Sequence, residues 1–387
     1  MSKQLGVYIH IPFCVGKCAY CNFYSVAGSD ALMPAYQDAI IKHIVEHSPQ
    51  LDGYLIDTVY FGGGTPSYFG ADRIAGIFKA LKKHCHIARN PEITIEINPG
   101  DAAIADFGKL RDVGFNRLSI GVQCADDTIL KRIGRRHTFS DAVETVKIAR
   151  QAGFENISVD LIYGLPAQGR ESWAETLAGT IALEAEHISF YGLKVEKGTQ
   201  LYEKRESESF PDDDTQADMY LYAVDALARQ GYTQYEISNS ARRGFESKHN
   251  LKYWLCNDYI GFGPGAHSYI GRRRYSVIQD VDKYIERVNT GRDVTENSEE
   301  ISDQESAAEY LMLRLRTALG ISEKEYFLKF GGKINLVLEL LRKFESNGWS
   351  LFEGERWRLT PKGFILSNTL IGEILEAQEK QWRKDAH

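Results

Sequence analysis

The chain has 387 residues, 43% hydrophobic and 26% charged, enough to bury one large domain and a smaller one. A net charge of −7 and a pI near 5.9 exclude a generally basic, nucleic-acid-coating surface, although Arg272-Arg273-Arg274 forms a local basic run. Six cysteines are too few for a disulfide framework, no apolar run approaches the ~20 residues of a membrane span, and no signal-peptide or Arg-rich transit pattern is legible, so a reducing, cytoplasmic setting is expected.

In chain order, Leu5–Ile11 alternates apolar and polar residues and predicts a first strand. A loop with three cysteines follows, then a helix over Met33–His47. Further strands are expected at Thr58–Phe61, Glu92–Ile97, Arg117–Val122, Asn156–Tyr163 and His187–Leu193. Helices are expected at Ala71–Lys83, Ala102–Asp112, Ser140–Ala152 (with Ser140 as its N-cap) and Glu171–Leu183. Six strand–helix units at roughly 30-residue spacing imply a parallel sheet covered by helices. They fall short of the eight units of a closed barrel, so the reading is α/β, a partial (β/α)6 TIM-like barrel. Asp213–Gln230 and Tyr232–Ile237 add a helix and a strand, after a charged, solvated loop over Lys197–Asp214.

From Ser238 the pattern changes. Residues 244–270, rich in Gly and aromatics, read as ordered loop; Asp280–Asn289 reads as a helix and 290–303 as a polar linker. Helices over Gln304–Leu319, Ser322–Lys329 and Ile334–Asn347 precede a hairpin over Trp349–Leu359, turning at Glu353-Gly354, and a last helix over Pro361–Leu375. Three helices and a hairpin suggest a C-terminal, mostly helical, winged-helix-like module. Its sparse, acid-punctuated surface makes a poor phosphate-binding face, so a structural or lid role is expected. The expected division is 1–237 for the partial barrel, 238–300 for the ordered loop region and linker, and 301–387 for the C-terminal module.

Cys14, Cys18 and Cys21 are spaced C-x3-C-x2-C directly after the first strand. Three soft thiolates within eight residues suit an iron–sulfur cluster with one iron left open to a small molecule. A fragment of a structural zinc site is the alternative, but it wants four closed ligands, and His10, an alternating strand residue, is poorly placed as the fourth. Ligands of parallel α/β sheets bind at the C-terminal strand ends. There lie the cysteines, Gly62-Gly63-Gly64-Thr65-Pro66, Glu96, Gln123 and Asp160. The glycine run lacks the Gly-Lys-[Ser/Thr] ending of a phosphate loop. Taken singly, Glu96 and Asp160 read first as groups that cap or pair locally at a strand end. Cys85, flanked by His84 and His86, reads as structural, and Cys124 and Cys256 as ordinary thiols.

Together the cysteine motif, IHIPFC, FGGGTPS, IEINP, SIGVQ and DLIYGLP resemble the radical S-adenosylmethionine (SAM) superfamily, in its coproporphyrinogen-dehydrogenase-like branch, over nearly the whole chain. The resemblance implies a [4Fe–4S] cluster on Cys14, Cys18 and Cys21, with SAM chelating the fourth iron. It implies SAM contacts from Tyr8, Gly63, Gly64, Thr65, Glu96, Gln123, Arg135 and Asp160. It also implies an electron donor and reductive cleavage of SAM to a 5′-deoxyadenosyl radical, with the cofactor carrying the hard step.

The true dehydrogenases continue past the third cysteine with another cysteine two residues on; here Asn22 and Phe23 follow Cys21. That departure makes oxygen-independent oxidation of coproporphyrinogen III the alternative, and the pattern is instead similar to the HemW-like heme chaperones. His249-Asn250-Leu251-Lys252-Tyr253-Trp254 matches that group's HNxxYW heme signature. Read bottom-up, a histidine supplies an axial ligand and Tyr253 and Trp254 flat faces for a porphyrin, or His249 bonds a loop while the aromatics fill the seam between barrel and C-terminal module. The implied cargo is heme, and the implied partners are acceptor hemoproteins such as respiratory cytochromes. No nucleic acid is expected; a homodimer or peripheral membrane association is compatible with the reading.

Overall fold

A computed structural model describes residues 3–101 and 105–385. The chain forms two compact units: Met1–Met219 with Asp258–Glu299, and Tyr220–Asn257 with Glu300–His387. The region expected as one piece, 238–300, is thus divided between them.

The first unit is built on a large, mostly parallel sheet. Strands β1 (Lys3–Ile11), β2 (Tyr54–Gly63), β3 (Ile87–Ile97), β4 (Arg117–Gln123), β5 (Ile157–Tyr163) and β6 (His187–Gly192) lie side by side in chain order, each pair parallel. Helices α1 (Met33–His47), α2 (Ala71–His84), α3 (Phe107–Val113), α4 (Phe139–Gln151) and α5 (Arg170–Ile181) make the crossovers. This is the strand–helix alternation of the expected partial barrel. The first residues of the expected helix Ala102–Asp112 lie outside the described residues.

Alternation decides what each strand face meets. Leu5, Val7, Ile9 and Ile11 are fully buried, as are Val59 and Phe61, which lie opposite Val7 and Ile9. They belong to the helix-covered core with Tyr36, Ala39, Ile40 and Ile44 of α1, each such aliphatic side chain contributing about 1.5–3 kcal/mol. The register carries the opposite, polar face from strand to strand: Tyr8 beside Tyr60, Tyr60 beside Thr94, Glu96 beside Ser119, Gly121 beside Asp160, and Asp160 beside Ser189.

Three local expectations are corrected. The N-cap of α4 is Thr138, not Ser140, and Thr138 and Asp141 form a reciprocal capping box. The stretch 244–270 is not loop: it contains a helix (Lys248–Trp254) and strands at Tyr259–Phe262 and His267–Ile270. Tyr259–Phe262 pairs parallel with β1, from Gly6 beside Tyr259 to Ile9 beside Phe262. The polar linker 290–303 contains a strand, Thr295–Glu300, on the outer edge of the same sheet.

In the second unit, helices Asp303–Arg314, Glu323–Phe330 and Asn335–Ser346 precede the hairpin of Ser350–Glu353 with Arg356–Leu359. The last helix is interrupted at Leu366, giving Pro361–Ile365 and Ser367–Asp385. Among the described residues no helix is long and apolar enough to cross a membrane.

Candidate metal and cofactor site

The cysteine loop leaves β1 and is pinned by its own backbone. Ala19 donates to the Ile133 carbonyl at 3.0 Å and accepts from Leu201 N at 2.8 Å, and Cys21 N closes a turn on Cys18 O at 3.1 Å. Gly134 makes the close approach possible: it sits at φ +80°, and a Cβ there would lie 3.2 Å from Ala19 N. All three motif cysteines are half-buried and free. Thr65 Oγ1 donates to Cys14 Sγ at 3.4 Å, and Arg135 Nη1 to Cys18 Sγ at 3.8 Å. Burial pushes the Cys14 and Cys21 thiols up, so a bound cation is what would turn them into thiolates. Among the described residues no three His, Cys, Asp or Glu side chains converge on a single ion. A cubane cluster makes no such demand, because each thiolate bonds a different iron. The all-sulfur donor set fits it.

Beside the cysteines, the glycine run closes the end of β2. A Cβ on Gly62 would lie 2.9 Å from the Tyr60 ring and 3.0 Å from Glu96 Oε1. Gly63, at φ +116°, would drive one to 2.5 Å from the His10 ring, and Gly64 to 2.8 Å from the Phe13 carbonyl. The N–H groups here are already taken. Gly63 N donates to Glu96 Oε2 (3.1 Å), Gly64 N to Ile11 O (2.8 Å) and Thr65 N to Phe13 O (2.9 Å). The Thr65 carbonyl is engaged as well, accepting from Tyr68 N at 3.0 Å, so this turn is fixed by its own backbone.

Glu96 also accepts from Tyr60 OH at 2.9 Å. Burial pushes its carboxyl up to about 7; those two hydrogen bonds hold it back and the charge of Asp160 adds to the rise. Burial likewise raises Asp160, which is fixed by hydroxyls: Ser119 Oγ donates to Oδ2 (2.8 Å) and Ser158 Oγ to Oδ1 (3.3 Å), with Ser189 a third donor. Tyr8 stacks on Tyr60 at 6.2 Å and lies on the same face. Gln123 ends β4 at φ +69°, just past a register shift after Gly121. Arg135 is half-buried; besides Cys18 it donates from Nη2 to Asn98 Oδ1 (2.9 Å) and to the Gly121 carbonyl.

His10 is buried and no metal ligand as it stands. Its Nε2 lies 2.9 Å from the Tyr24 carbonyl, which only accepts, so Nε2 carries the proton and Nδ1 accepts from Tyr8 OH at 3.0 Å. Burial lowers its pKa to about 4, so the ring is neutral. Tyr20, Tyr60 and Asn98 were not singled out from the sequence. Tyr60 was legible, since alternation puts it on the face of Tyr8; the partnership of Asn98 with Arg135 spans 37 residues and leaves no local pattern.

The HNxxYW residues belong to the second unit, on the helix Lys248–Trp254, capped by Ser247 Oγ accepting from Asn250 N at 3.3 Å. His249 and Tyr253 lie one turn apart, edge to face at 5.2 Å, and share a hydrogen bond of 2.8 Å through His249 Nε2. His249 is only 1% exposed, whereas Asn250, Tyr253 and Trp254 are half-buried.

Residues 8–178 match the radical SAM superfamily and 301–366 the HemN C-terminal domain. Over 378 residues the chain is 33% identical to the heme chaperone HemW of Lactococcus lactis, covering 97% of this chain and 98% of that protein. It is 32% identical to the Bacillus subtilis heme chaperone HemW (96% and 99% covered) and 31% identical to a bovine mitochondrial radical S-adenosyl methionine domain-containing protein 1 (99% and 90%). The structure superposes on coproporphyrinogen III oxidase HemN of Escherichia coli with a TM-score of 0.84 over 96% of this chain and 90% of that one; at 22% identity this speaks for the fold alone. The chain therefore belongs to the radical SAM superfamily, as a HemW-like member with a HemN-type C-terminal domain.

Proposed function

We propose that this protein is a heme chaperone on a radical SAM scaffold, which binds heme and transfers it to acceptor hemoproteins such as respiratory cytochromes. Full-length likeness to curated heme chaperones carries the reading. The residues after Cys21 support it: Asn22 and Phe23 stand where the dehydrogenase pattern has a further cysteine. Six cysteines, three of them in the C-x3-C-x2-C motif, suit the reducing cytoplasm.

Cys14, Cys18 and Cys21 would hold the [4Fe–4S] cluster. The backbone at Gly63–Thr65 and Glu96 would meet the SAM ammonium, Arg135 its carboxylate, and Asp160 the ribose hydroxyls, with Tyr8 and Gln123 completing the pocket. When bound, that pair supplies one-electron chemistry at the sulfonium; the chain's own part is to bind, orient and desolvate. Heme would lie against Asn250, Tyr253 and Trp254, and coordination by His249 Nε2 would require the Tyr253 hydroxyl to let go.

Anaerobic reconstitution followed by parallel heme titration and coproporphyrinogen III turnover tests the reading. A Soret band saturating with a Kd of about micromolar or tighter, with no decarboxylated porphyrin, is expected. Porphyrinogen turnover, or no heme binding with H249A indistinguishable from the parent, overturns it.

A further inference from the structure

Arg135 reaches the cysteine loop from far along the chain. It lies 117 residues from Cys18, yet its Nη1 donates to Cys18 Sγ at 3.8 Å. The backbone is shaped to deliver it. The helix Asp127–Arg132 ends in a turn where Gly134 N bonds Lys131 O and Arg135 N bonds Leu130 O. Ile133 holds the loop at Ala19, and Gly134 at φ +80° lets the two backbones touch.

The partners of Arg135 are neutral. Asn98 and the Gly121 carbonyl accept from Nη2, and the Tyr20 hydroxyl lies close by. Its Nε is shielded from water without a hydrogen-bond partner. Among the described residues no carboxylate lies within ion-pair distance of it, whereas the next residue, Arg136, pairs with Asp101 at 3.1 Å. A shielded guanidinium without a carboxylate favours an anion beside it, and the sulfur it reaches is Cys18 Sγ, which would be a thiolate once it bonds iron. Thr65 Oγ1 repeats the arrangement more weakly at Cys14, and Phe23 N at Cys21.

We propose that Arg135, in addition to any contact with SAM, sets the reduction potential of the cluster through Cys18. This rests on the cluster reading of the three cysteines. One-electron reduction adds negative charge that is shared with the thiolate sulfurs. A cation and a hydrogen-bond donor at one sulfur stabilise the reduced form more than the oxidised one and raise the potential. Arg135 is thereby a positioning residue for charge at the cluster.

The test is a mediated anaerobic redox titration of the reconstituted, SAM-free protein, followed by electron paramagnetic resonance, with iron counted on each sample. The expected result is a midpoint that moves to more negative potential in R135Q, less in R135K, which keeps the charge without the fork, and least in T65V. R135Q with a full complement of iron and an unchanged midpoint overturns the proposal. So does loss of iron from both R135Q and R135K, which makes Arg135 a structural support of the loop. A wild-type chain that takes up no iron fails differently, bringing down the cluster reading first.

Discussion

The strand ends around the cysteine loop and the helix that carries His249 use the same residue types to opposite ends. Around the cysteines, polar groups are held in place while capacity is left over. Cys14, Cys18 and Cys21 are free, Glu96 sits near its titration point, and Arg135 faces a sulfur instead of a carboxylate. Three consecutive glycines keep side chains out of the space beside them. On the helix Lys248–Trp254 the histidine is enclosed and its Nε2 is matched by a tyrosine on the next turn. The first arrangement keeps capacity to spare; the second is satisfied as it stands. A motif therefore names residues, and only their partners tell whether those residues are available.

The contrast breaks first at the cysteines. Replacing any one of them with Ala should take iron after reconstitution from about four per chain to near zero, checked by iron and sulfide assay with circular dichroism to show the fold is kept. Full iron in all three variants would mean that the free thiols have another purpose. Gly63→Ala should be next in size. A methyl at φ +116° and 2.5 Å from the His10 ring forces both a strained backbone and displacement of a ring bonded at both nitrogens. A loss of roughly 2–4 kcal/mol in denaturant unfolding is expected. Unchanged stability would show that the glycine run is looser than its contacts imply.

Most of the first unit was legible because period-two alternation and parallel crossovers survive in the sequence. The six strands follow from it, and so does the shared face of Tyr8, Glu96 and Asp160, since each register step preserves parity. What was missed had no local signature. Tyr259–Phe262 is a strand whose sequence, YIGF, offers no alternation, and pairing with β1 on one side and His267–Ile270 on the other makes it one. The cap of α4 was misplaced by two residues although Thr138-x-x-Asp141 spells a capping box, because Ser140 also carries a hydroxyl. The contact of Arg135 with Cys18 depends on Gly134, whose role appears only when two backbones meet. The family resemblance pointed to Arg135 and His249 alike; the structure separates an unpaired cation from a matched histidine.

Glu96 gives a way to sharpen the contrast by pH. A carboxyl raised to about 7 is largely protonated at pH 6, and a neutral acid cannot pair with an ammonium group. SAM affinity should therefore rise with pH, by up to tenfold per unit below about 7, and level off above it. E96Q should flatten the profile and weaken binding at pH 8 by roughly tenfold to a hundredfold, the scale of one charge-assisted hydrogen bond. Equilibrium dialysis at a series of pH values reads both. The linked effect on the fold has the opposite sign. Because the folded pKa lies above the ordinary 4.5, stability falls as pH rises from about 4.5 to 7, and that slope should shrink in E96Q.

The smallest expected effect comes from the satisfied helix. Tyr253→Phe removes the hydroxyl that occupies His249 Nε2 while keeping the ring that packs edge to face against it. If heme iron takes Nε2, binding in the parent includes the cost of breaking that hydrogen bond, a net of about 1 kcal/mol. Y253F has no such bond to break, so its heme affinity should rise about fivefold and its Soret band should keep the parent's position. H249A should lose the axial ligand in both backgrounds. If the tyrosine oxygen itself is the ligand, Y253F should weaken binding and shift the band while H249A changes little. The direction of this one change thus decides whether the His249–Tyr253 pair is a latch that heme opens or a pair in which tyrosine holds the iron.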